Sequence, residues 1–495
     1  MCKARNKNKC ARLFERFVIR SLLTSFMKKV DVTILGGGPV GSFLATILND
    51  MGVSNVVIDR DLIPYQLPRA IVMDDEILRA CYDHGMGEWL QHNTEPLQRG
   101  DFVGPNDAVI IGADIPPVGL QGVPPVVAHY QPELDAMLRA EAEARGSTVM
   151  WGRTVTHMED DGKKVMTTLD NGETIESRWF VGCDGASSWT RKFTGLQLED
   201  LCFDQEWLVV DAELYEGAVV DLPVGVRQFC HTDRPFTFVQ GVRRYRRWEF
   251  QVQDGEDTAA LNTEQGLWQL LDGMISPSVA RIVRSAVYRF HAVVAPVMQQ
   301  GNVFLAGDSA HQTPPFAGQG LNSGMRDAVN LAWKFSLVTR GIASEKILDT
   351  YSSERVPHVR STIAHAVDMG RLIDQLGGRV SHGVDVESGY GGSRPSPFIE
   401  AGIVVGDDAR VGHQFWFHPE VSKAVQRDGA SFVLVTAAPV SIPDAFASVP
   451  IVNVVAPETL GGAFAIVVRP DRYVAAVAGD MTKLNECAAI LATYV

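Results

Sequence analysis

At 495 residues and 46% hydrophobic content, the chain is long enough for two to four domains with sizeable cores. Its net charge of −14 argues against nucleic acid as a partner, and no apolar run reaches the roughly 18 residues that span a bilayer. Seven cysteines, scattered at 2, 10, 81, 183, 202, 230 and 487 with no Cys-x-x-Cys, suit the thiols of a reduced, cytoplasmic protein rather than a disulfide framework.

The first 26 residues hold seven Lys/Arg and one acid, Glu15. They read as a disordered basic extension ahead of a natural start near Met27, with a targeting or surface-binding segment as the alternative. Residues 32–35 form a short apolar strand. Gly36-Gly-Gly38-Pro39-Val40-Gly41 follows, then a helical run from Ser42 to about Met51, then a strand over 56–59. This is G-x-G-x-x-G between strand and helix, with Asp59 placed 21 residues after Gly38. The pattern is a dinucleotide-binding fingerprint: Gly36 makes the tight turn, Gly38 admits a pyrophosphate, Gly41 packs helix on strand, and Asp59 accepts from a ribose hydroxyl.

Turn signals at Asp160-Asp-Gly-Lys and Asp170-Asn-Gly-Glu predict a β-meander. Phe180-Val-Gly-Cys-Asp184-Gly185-Ala-Ser-Ser188-Trp-Thr-Arg191 is again a strand ending in Asp-Gly before a helix. Stretches 207–214, 226–230, 236–240 and 248–253 alternate as antiparallel strands. Residues 303–306 form a buried strand that ends in Gly307-Asp308. A Gly/Pro-rich loop leads from there to a helix from about Leu321. An acid at a strand end, with a helix N-terminus beyond a glycine loop, suits a polyhydroxylated, anionic cofactor. A Gly/Ser-rich linker is expected over 370–406. Beyond it, strands at 431–436, 451–455 and one within 463–475, with a helix from about Thr482 to Tyr494, predict a small α/β unit.

These motifs, in this order, resemble those of the class A flavoprotein aromatic monooxygenases, which have the para-hydroxybenzoate hydroxylase fold. The family's G-x-G-x-x-G, D-G-x-x-S-x-x-R and G-D signatures are matched by Gly36 to Gly41, Asp184 to Arg191, and Gly307-Asp308. Pro68-Arg69-Ala70, Gln131 and Tyr351-Ser-Ser-Glu-Arg355 add to the likeness. Pro68-Arg-Ala-Ile-Val-Met-Asp-Asp-Glu76, Trp207-Leu-Val-Val-Asp211, Arg247-Trp-Glu-Phe250 and the Gly318 to Asp327 stretch make it most similar to 3-(3-hydroxyphenyl)propanoate hydroxylase-like members. Asp59 stands where many relatives carry Glu; either acid can accept from a ribose.

The resemblance implies an α/β fold: a Rossmann-like FAD-binding domain of GR2 type, an antiparallel β-sheet substrate domain and a thioredoxin-like C-terminal domain. Residues 28–76, 128–195 and 287–355 are expected in the first, 77–127 and 196–286 in the second, 356–404 in a helix and linker, and 405–495 in the third. Cys487 has no paired thiol, so the third is expected to pack or dimerise rather than do redox work.

It also implies an enzyme that uses FAD, NADPH or NADH, and O₂ to hydroxylate a phenolic acid through a flavin C4a-hydroperoxide. FAD would meet Gly36, Gly38, Pro39, Val40, Gly41, Asp59, Arg60, Arg69, Gln131, Asp184, Gly185, Ser188, Arg191, Gly307, Asp308, Pro315 and Gly318. Backbone N–H groups of Gly320, Leu321 and Asn322 would hold negative charge at flavin N1/O2. Candidates to move the phenol proton are His231, Tyr288, His291 and His311, or the Pro314/Pro315 backbone with waters. Gln228, Cys230, Phe236, Phe238 and Gln240 would line the substrate cavity. Arg227, Arg243 and Arg244 either pair with a substrate carboxylate or stay solvated. A polyketide-tailoring or resorcinol-type hydroxylase is the alternative within the class; an FAD-bound electron-transfer or NAD(P)H-oxidising protein is the alternative outside it. Expected partners are a small aromatic substrate and a second copy in a homodimer, with no nucleic acid, integral membrane segment or metal.

Overall fold

The computed structural model describes residues 27–379, 398–428 and 430–495; the basic segment 1–26 and the middle of the expected linker lie outside the described residues. In chain order, the elements that position the site are β1 (Met27–Leu35), α1 (Pro39–Asp50), β2 (Asn55–Asp59), α2 (Gln131–Ala144), β3 (Thr174–Gly182), β4 (Glu199–Leu214), β5 (Tyr245–Gln251), β6 (Ala280–Val294), β7 (Val303–Leu305), α3 (Gly320–Thr339) and α4 (Thr350–Leu376).

β1 sits inside a parallel layer, between β2 and β3, and β3 continues to β7. Both faces are covered, so these strands carry near-continuous apolar runs: Val56, Val57 and Ile58 on β2, Phe180 and Val181 on β3. The expected meander is present as strands Val155–Asp160 and Val165–Leu169, antiparallel to one another, with the second antiparallel to β3. α1 opens with Pro39 at its first position, where a missing N–H costs nothing, and buries Phe43, Leu44, Ile47 and Leu48.

The second sheet is larger than the sequence reading expected. Its order runs from strand His311–Gln312 through β6, β4, β5, Phe236–Gln240 and Val226–Phe229 to a hairpin of Arg99–Val103 and Val109–Asp114. β6 is not among the strands expected from the sequence. Its charged residues Arg281, Arg284 and Arg289 interrupt the alternation, because Arg284 is buried against an ion partner while the other two bond carboxylates near the surface. The third flavin segment, expected from Val287, starts inside this strand.

The two faces of the second sheet differ. Leu208, Val210, Phe238, Trp248 and Phe250 pack with Leu267 and Leu271 in an apolar core. The opposite face presents Trp207, Asp211, Thr237, Arg247, Glu249 and Arg284, and it meets the Pro68-Arg69 turn.

α4 runs to Leu376, so the first residues of the expected linker are helical. Gly370 suits its place in the helix, since a Cβ there would come within 3.0–3.2 Å of Phe316 and Phe203. The C-terminal unit has the strand order Ile451–Val455, Phe432–Thr436, Ala465–Val468, Val474–Ala478, with the first pair parallel and the others antiparallel. Two strands stand where one was expected. The chain reverses at Pro470-Asp471-Arg472, and Arg472 takes φ +69° to do so.

This unit is locked to α3 and α4 by buried charges. Glu354 bonds Lys334 at 2.8 Å and Arg469 at 2.7 Å, and Asp471 accepts from Arg469 at 2.6 Å and from the Trp333 indole at 3.1 Å. Burial pushes the Lys334 amine down to about 8 although Glu354 pulls the other way. Burial works against the Glu354 carboxylate too, yet Arg469 and Lys334 hold it well below its usual range. Removing one member strands the others. Glu354→Gln should therefore lower unfolding free energy by about 3–5 kcal/mol in urea titrations; a loss under about 1 kcal/mol would mean the network is not a lock.

Candidate active site

The crevice is built where β1, β2, β3 and β7 end. Gly36 takes φ +107°, and a Cβ there would lie 2.3 Å from the Cys183 carbonyl oxygen. A Cβ on Gly41 would lie 2.0 Å from the Gly36 oxygen. These two glycines are demanded by packing within the chain. Gly38 differs: a Cβ there would meet nothing within 4 Å, and the same holds for Gly320 at the start of α3. Both open positions sit at helix N-termini, where unpaired N–H groups await an anion. This layout fits the pyrophosphate and isoalloxazine ends of FAD. Pro39 and Val40 form the first turn of α1, and the Val40 side chain packs against Gly307 and Gly324.

Asp59 ends β2. Its carboxylate accepts from Gly37 N at 2.6 Å and Asp61 N at 2.8 Å, and pairs with Arg139 at 3.2 Å. Arg139 was not singled out from the sequence. It is buried, donates to the Gly37 carbonyl at 2.8 Å and lies 4.3 Å over the Trp151 ring. Its signal was present as the second helical step from Gln131 along α2. Arg60, expected on the cofactor, points instead into solvent beside Asp61.

Gln131 accepts from Arg69 N at 3.2 Å and Ala70 N at 2.5 Å, so it fixes the Pro-Arg-Ala turn. The Arg69 side chain is exposed and lies close enough to Asp135 and Asp308 to pull both carboxyls down. Asp308 is exposed just beyond the end of β7; the protein packed around it raises its carboxyl, and His311 and Arg69 oppose the rise.

The middle motif holds itself. Asp184 accepts from the Ser188 hydroxyl at 2.6 Å and from Thr190 N at 2.9 Å, and Ser188 caps the short helix at Arg191 N. Gly185 takes φ +77° at the turn. Arg191 donates to the carbonyls of Ser309 at 2.7 Å and Ala186 at 2.8 Å. Of the residues expected on FAD, Asp184 and Ser188 thus brace the 184–191 turn, and Arg191 ties it to the Asp308 loop.

Gly307 takes φ +65°, and its N–H donates to Asp327 at 2.9 Å. The same carboxylate bonds His311 Nε2 at 2.7 Å and Arg355 Nε at 2.7 Å, all fully enclosed. His311, expected as a proton carrier, is buried against Asp327 rather than presented to the crevice. Pro315 opens a short 3₁₀ turn, Gly318 takes φ +61° beside Val72, and Asn322 bridges Gly318 O at 2.7 Å and Asp74 N at 3.1 Å. Leu321 packs against the main core.

Other expected residues move as well. His231 bonds Asp107 at 3.0 Å on the 103–109 turn, and His291 is exposed opposite Asp204. Phe236, Phe238 and Gln240 share the face turned to the apolar core, because strand alternation puts every second residue there. Gln240 caps Gly225 N at 2.8 Å. Gln228 lies on the cofactor side, but bonds Thr237 and the Phe236 carbonyl, and Cys230 is buried with its thiol pushed up to about 12. Arg227, Arg243 and Arg244 pair with Asp101, Glu133 and Glu213.

Of the side chains on the face that meets the crevice, Tyr288 was a candidate from the sequence, while Trp207, Phe203, Phe290, Phe316 and Arg284 were not. Phe316 meets Trp207, Phe203 and Phe290 edge-on at centroid distances of 5.2, 5.7 and 6.5 Å. Tyr288, beside Trp207 across the strands, lies 6.1 Å from Phe290 in parallel rings and under the Arg284 guanidinium at 5.0 Å. Arg247 donates to Asp211 at 2.7 Å and to the Arg69 carbonyl at 2.6 Å. Among the described residues, no group of three or more His, Cys, Asp or Glu could hold a metal. No described helix is long and apolar enough to cross a membrane.

This geometry defines a flavin crevice facing an aromatic-lined sheet. The model of the FAD binding domain family matches residues 29–366, and the chain belongs to that family, the class A flavoprotein monooxygenases. It is 36% identical over 355 residues to a probable NADH-specific resorcinol 4-hydroxylase of Rhodococcus jostii (strain RHA1), covering 70% of this chain and 66% of the relative. It is 33% identical over 355 residues to a 3-(3-hydroxy-phenyl)propionate/3-hydroxycinnamic acid hydroxylase of Mycobacterium sp. (strain KMS), covering 71% and 61%. These matches thus span just under two thirds of the relatives' length. In fold, the chain is similar to aklavinone-11 hydroxylase in complex with FAD and aklavinone (TM-score 0.77, 19% identity, 94% and 98% of the chains covered). It is also similar to the flavin-dependent monooxygenase PieE in complex with FAD and substrate (TM-score 0.75, 19%, 94% and 99%).

The two classes of glycine should separate experimentally. Gly38→Ala should leave the apoprotein's melting temperature unchanged but weaken FAD binding by about tenfold or more, read by flavin fluorescence quenching. Gly41→Ala should lower the melting temperature of the apoprotein itself. Equal loss of stability in both would contradict the assignment.

Proposed function

We propose that the protein is an FAD-dependent aromatic hydroxylase that uses NADH or NADPH and O₂ on a small phenol. The observation that carries this is the aromatic group Trp207, Phe203, Phe290 and Phe316, joined by Phe316 to the loop that runs into Gly318 and Gly320. Bound FAD supplies the redox and oxygen chemistry. The chain's part is to seat the phenol against this apolar wall and keep water out. N–H groups at the start of α3 would face the cofactor and could stabilise negative charge on it. Tyr288 shares the Trp207 face and remains the candidate to pass the phenol proton; His311 and His231 are otherwise engaged.

Two phenol types compete. The arginines expected to meet a substrate carboxylate, Arg227, Arg243 and Arg244, are paired within the chain, which favours an uncharged phenol of the resorcinol type. The buried Arg284 Nη2, with no acceptor among the described residues, is a guanidinium group open to a phenolic acid. The strand order of the parallel layer supports a Rossmann-like FAD domain, and the mixed four-stranded C-terminal sheet supports a thioredoxin-like unit without a redox thiol pair. A cytoplasmic homodimer is the working assembly.

The test is NADH and NADPH oxidation by the flavin-loaded protein with resorcinol, 3-(3-hydroxyphenyl)propanoate and a polycyclic phenol, with product analysis. Stimulated oxidation that yields a ring-hydroxylated product supports the reading. Oxidation that yields hydrogen peroxide alone with every phenol overturns it. Phe316→Ala should open the wall to water, so that a larger share of NAD(P)H oxidised appears as peroxide and a smaller share as product.

A further inference from the structure

α2 presents one face to the crevice at four-residue steps: Gln131, Asp135 and Arg139. The outer two already act on the cofactor loops, Gln131 on the 69–70 turn and Arg139 on Gly37 and Asp59. Asp135 lies between them, 4% exposed. Its Oδ2 accepts from Gln131 Nε2 at 3.3 Å, and its Oδ1, itself buried, has no partner among the described residues. Arg69 reaches it from the turn and Arg139 from its own helix; through Arg69 it shares a cation with Asp308 at the end of β7. α1, packed against α2, adds no charge here: its one charged residue, Asp50, is held by Arg145 and His84 at the far end. An enclosed carboxyl with a free oxygen, placed in a cradle for a doubly charged pyrophosphate, faces an evident conflict. If it stays ionised, it competes with the phosphates for Arg69 and repels them.

We propose that Asp135 is a positioning residue of the FAD cradle that takes up a proton from solvent when FAD binds, so that its charge neither competes for Arg69 nor repels the phosphates of the cofactor. This rests on FAD binding, not on the identity of the phenol. Burial already pushes the Asp135 carboxyl up to about 7, against the pull of Arg69, Gln131 and Arg139. Added phosphate charge moves it further in the same direction. The sign then follows from linkage. Below about pH 7 the group is protonated before and after binding, and affinity is flat. Above that pH binding must draw in a proton, so affinity falls as pH rises, by up to about tenfold per unit.

The experiment titrates FAD into the full chain stripped of flavin, from pH 6 to 9, by calorimetry in two buffers of different ionisation enthalpy. Wild type should take up about half a proton or more near pH 8, and its Kd should rise steeply above pH 7. Asp135→Asn, a neutral isostere, should bind without that uptake, with a flattened pH profile, and more tightly than wild type at pH 9. Difference infrared spectra of wild type should gain a carboxylic C=O band on FAD addition, a readout that does not depend on the variant folding. The proposal is overturned if wild type takes up no proton. It is also overturned if Asp135→Asn keeps the uptake and slope, which would move the titration to Asp308. Weaker binding by Asp135→Asn at every pH with an unchanged slope would reduce Asp135 to a packing role and likewise overturn it. Failure of wild type to bind FAD at any pH would instead overturn the cofactor assignment itself.

Discussion

The Asp327 carboxylate is the constraint on which the crevice depends. It is fully enclosed, an expensive place for a charge, and it is stable there because three donors from separate parts of the chain converge on it. Gly307 N fixes the end of β7, His311 fixes the strand that follows, and Arg355 reaches in from α4. Asp327 itself rides on α3. One side chain therefore sets where the Asp308 loop ends and where the N-terminus of α3 begins. The mutual distance of those two features decides whether a flavin can be held between them.

Around this anchor, the two sheets divide the work. The parallel layer ends in backbone: glycines, exposed N–H groups, and acids at strand termini. The second sheet contributes side chains, and it contributes them in two registers. Its polar face meets the Pro68-Arg69 turn through Arg247 and Arg284, both paired with Asp211. Its aromatic residues meet Phe316. The buried ion group orients the turn that carries Arg69, while the aromatic wall supplies a dry surface.

Much of the cofactor crevice was legible in the sequence because it is made of local patterns. Gly36 and Gly41 sit where strand–turn–helix spacing puts them and leave no room for a Cβ, and Gly307-Asp308 ends the strand expected of it. The substrate side was not legible, for a physical reason. Phe236, Phe238 and Gln240 alternate correctly, but alternation alone does not say which face of a sheet meets the cofactor. That is decided by partners far along the chain, such as the Arg69 carbonyl for Arg247. β6 escaped notice because its arginines read as surface residues until Asp211 is placed opposite Arg284. His311 was misjudged in the same way. Next to a motif it suggests chemistry, and only Asp327, sixteen residues on, reveals it as a bolt.

The shared charges among Lys334, Glu354, Arg469 and Asp471 have an evolutionary corollary. A C-terminal unit that merely leaned on the flavin domain could be exchanged between lineages by recombination at its linker. Here a transplanted unit would leave Lys334 and Glu354 facing the wrong partners inside a sealed interface. The heritable module is accordingly larger than the C-terminal sheet and includes α3 and α4. Because the start of α3 borders the flavin crevice, drift at the two ends of the chain is coupled, and a successful chimaera has its junction before α3.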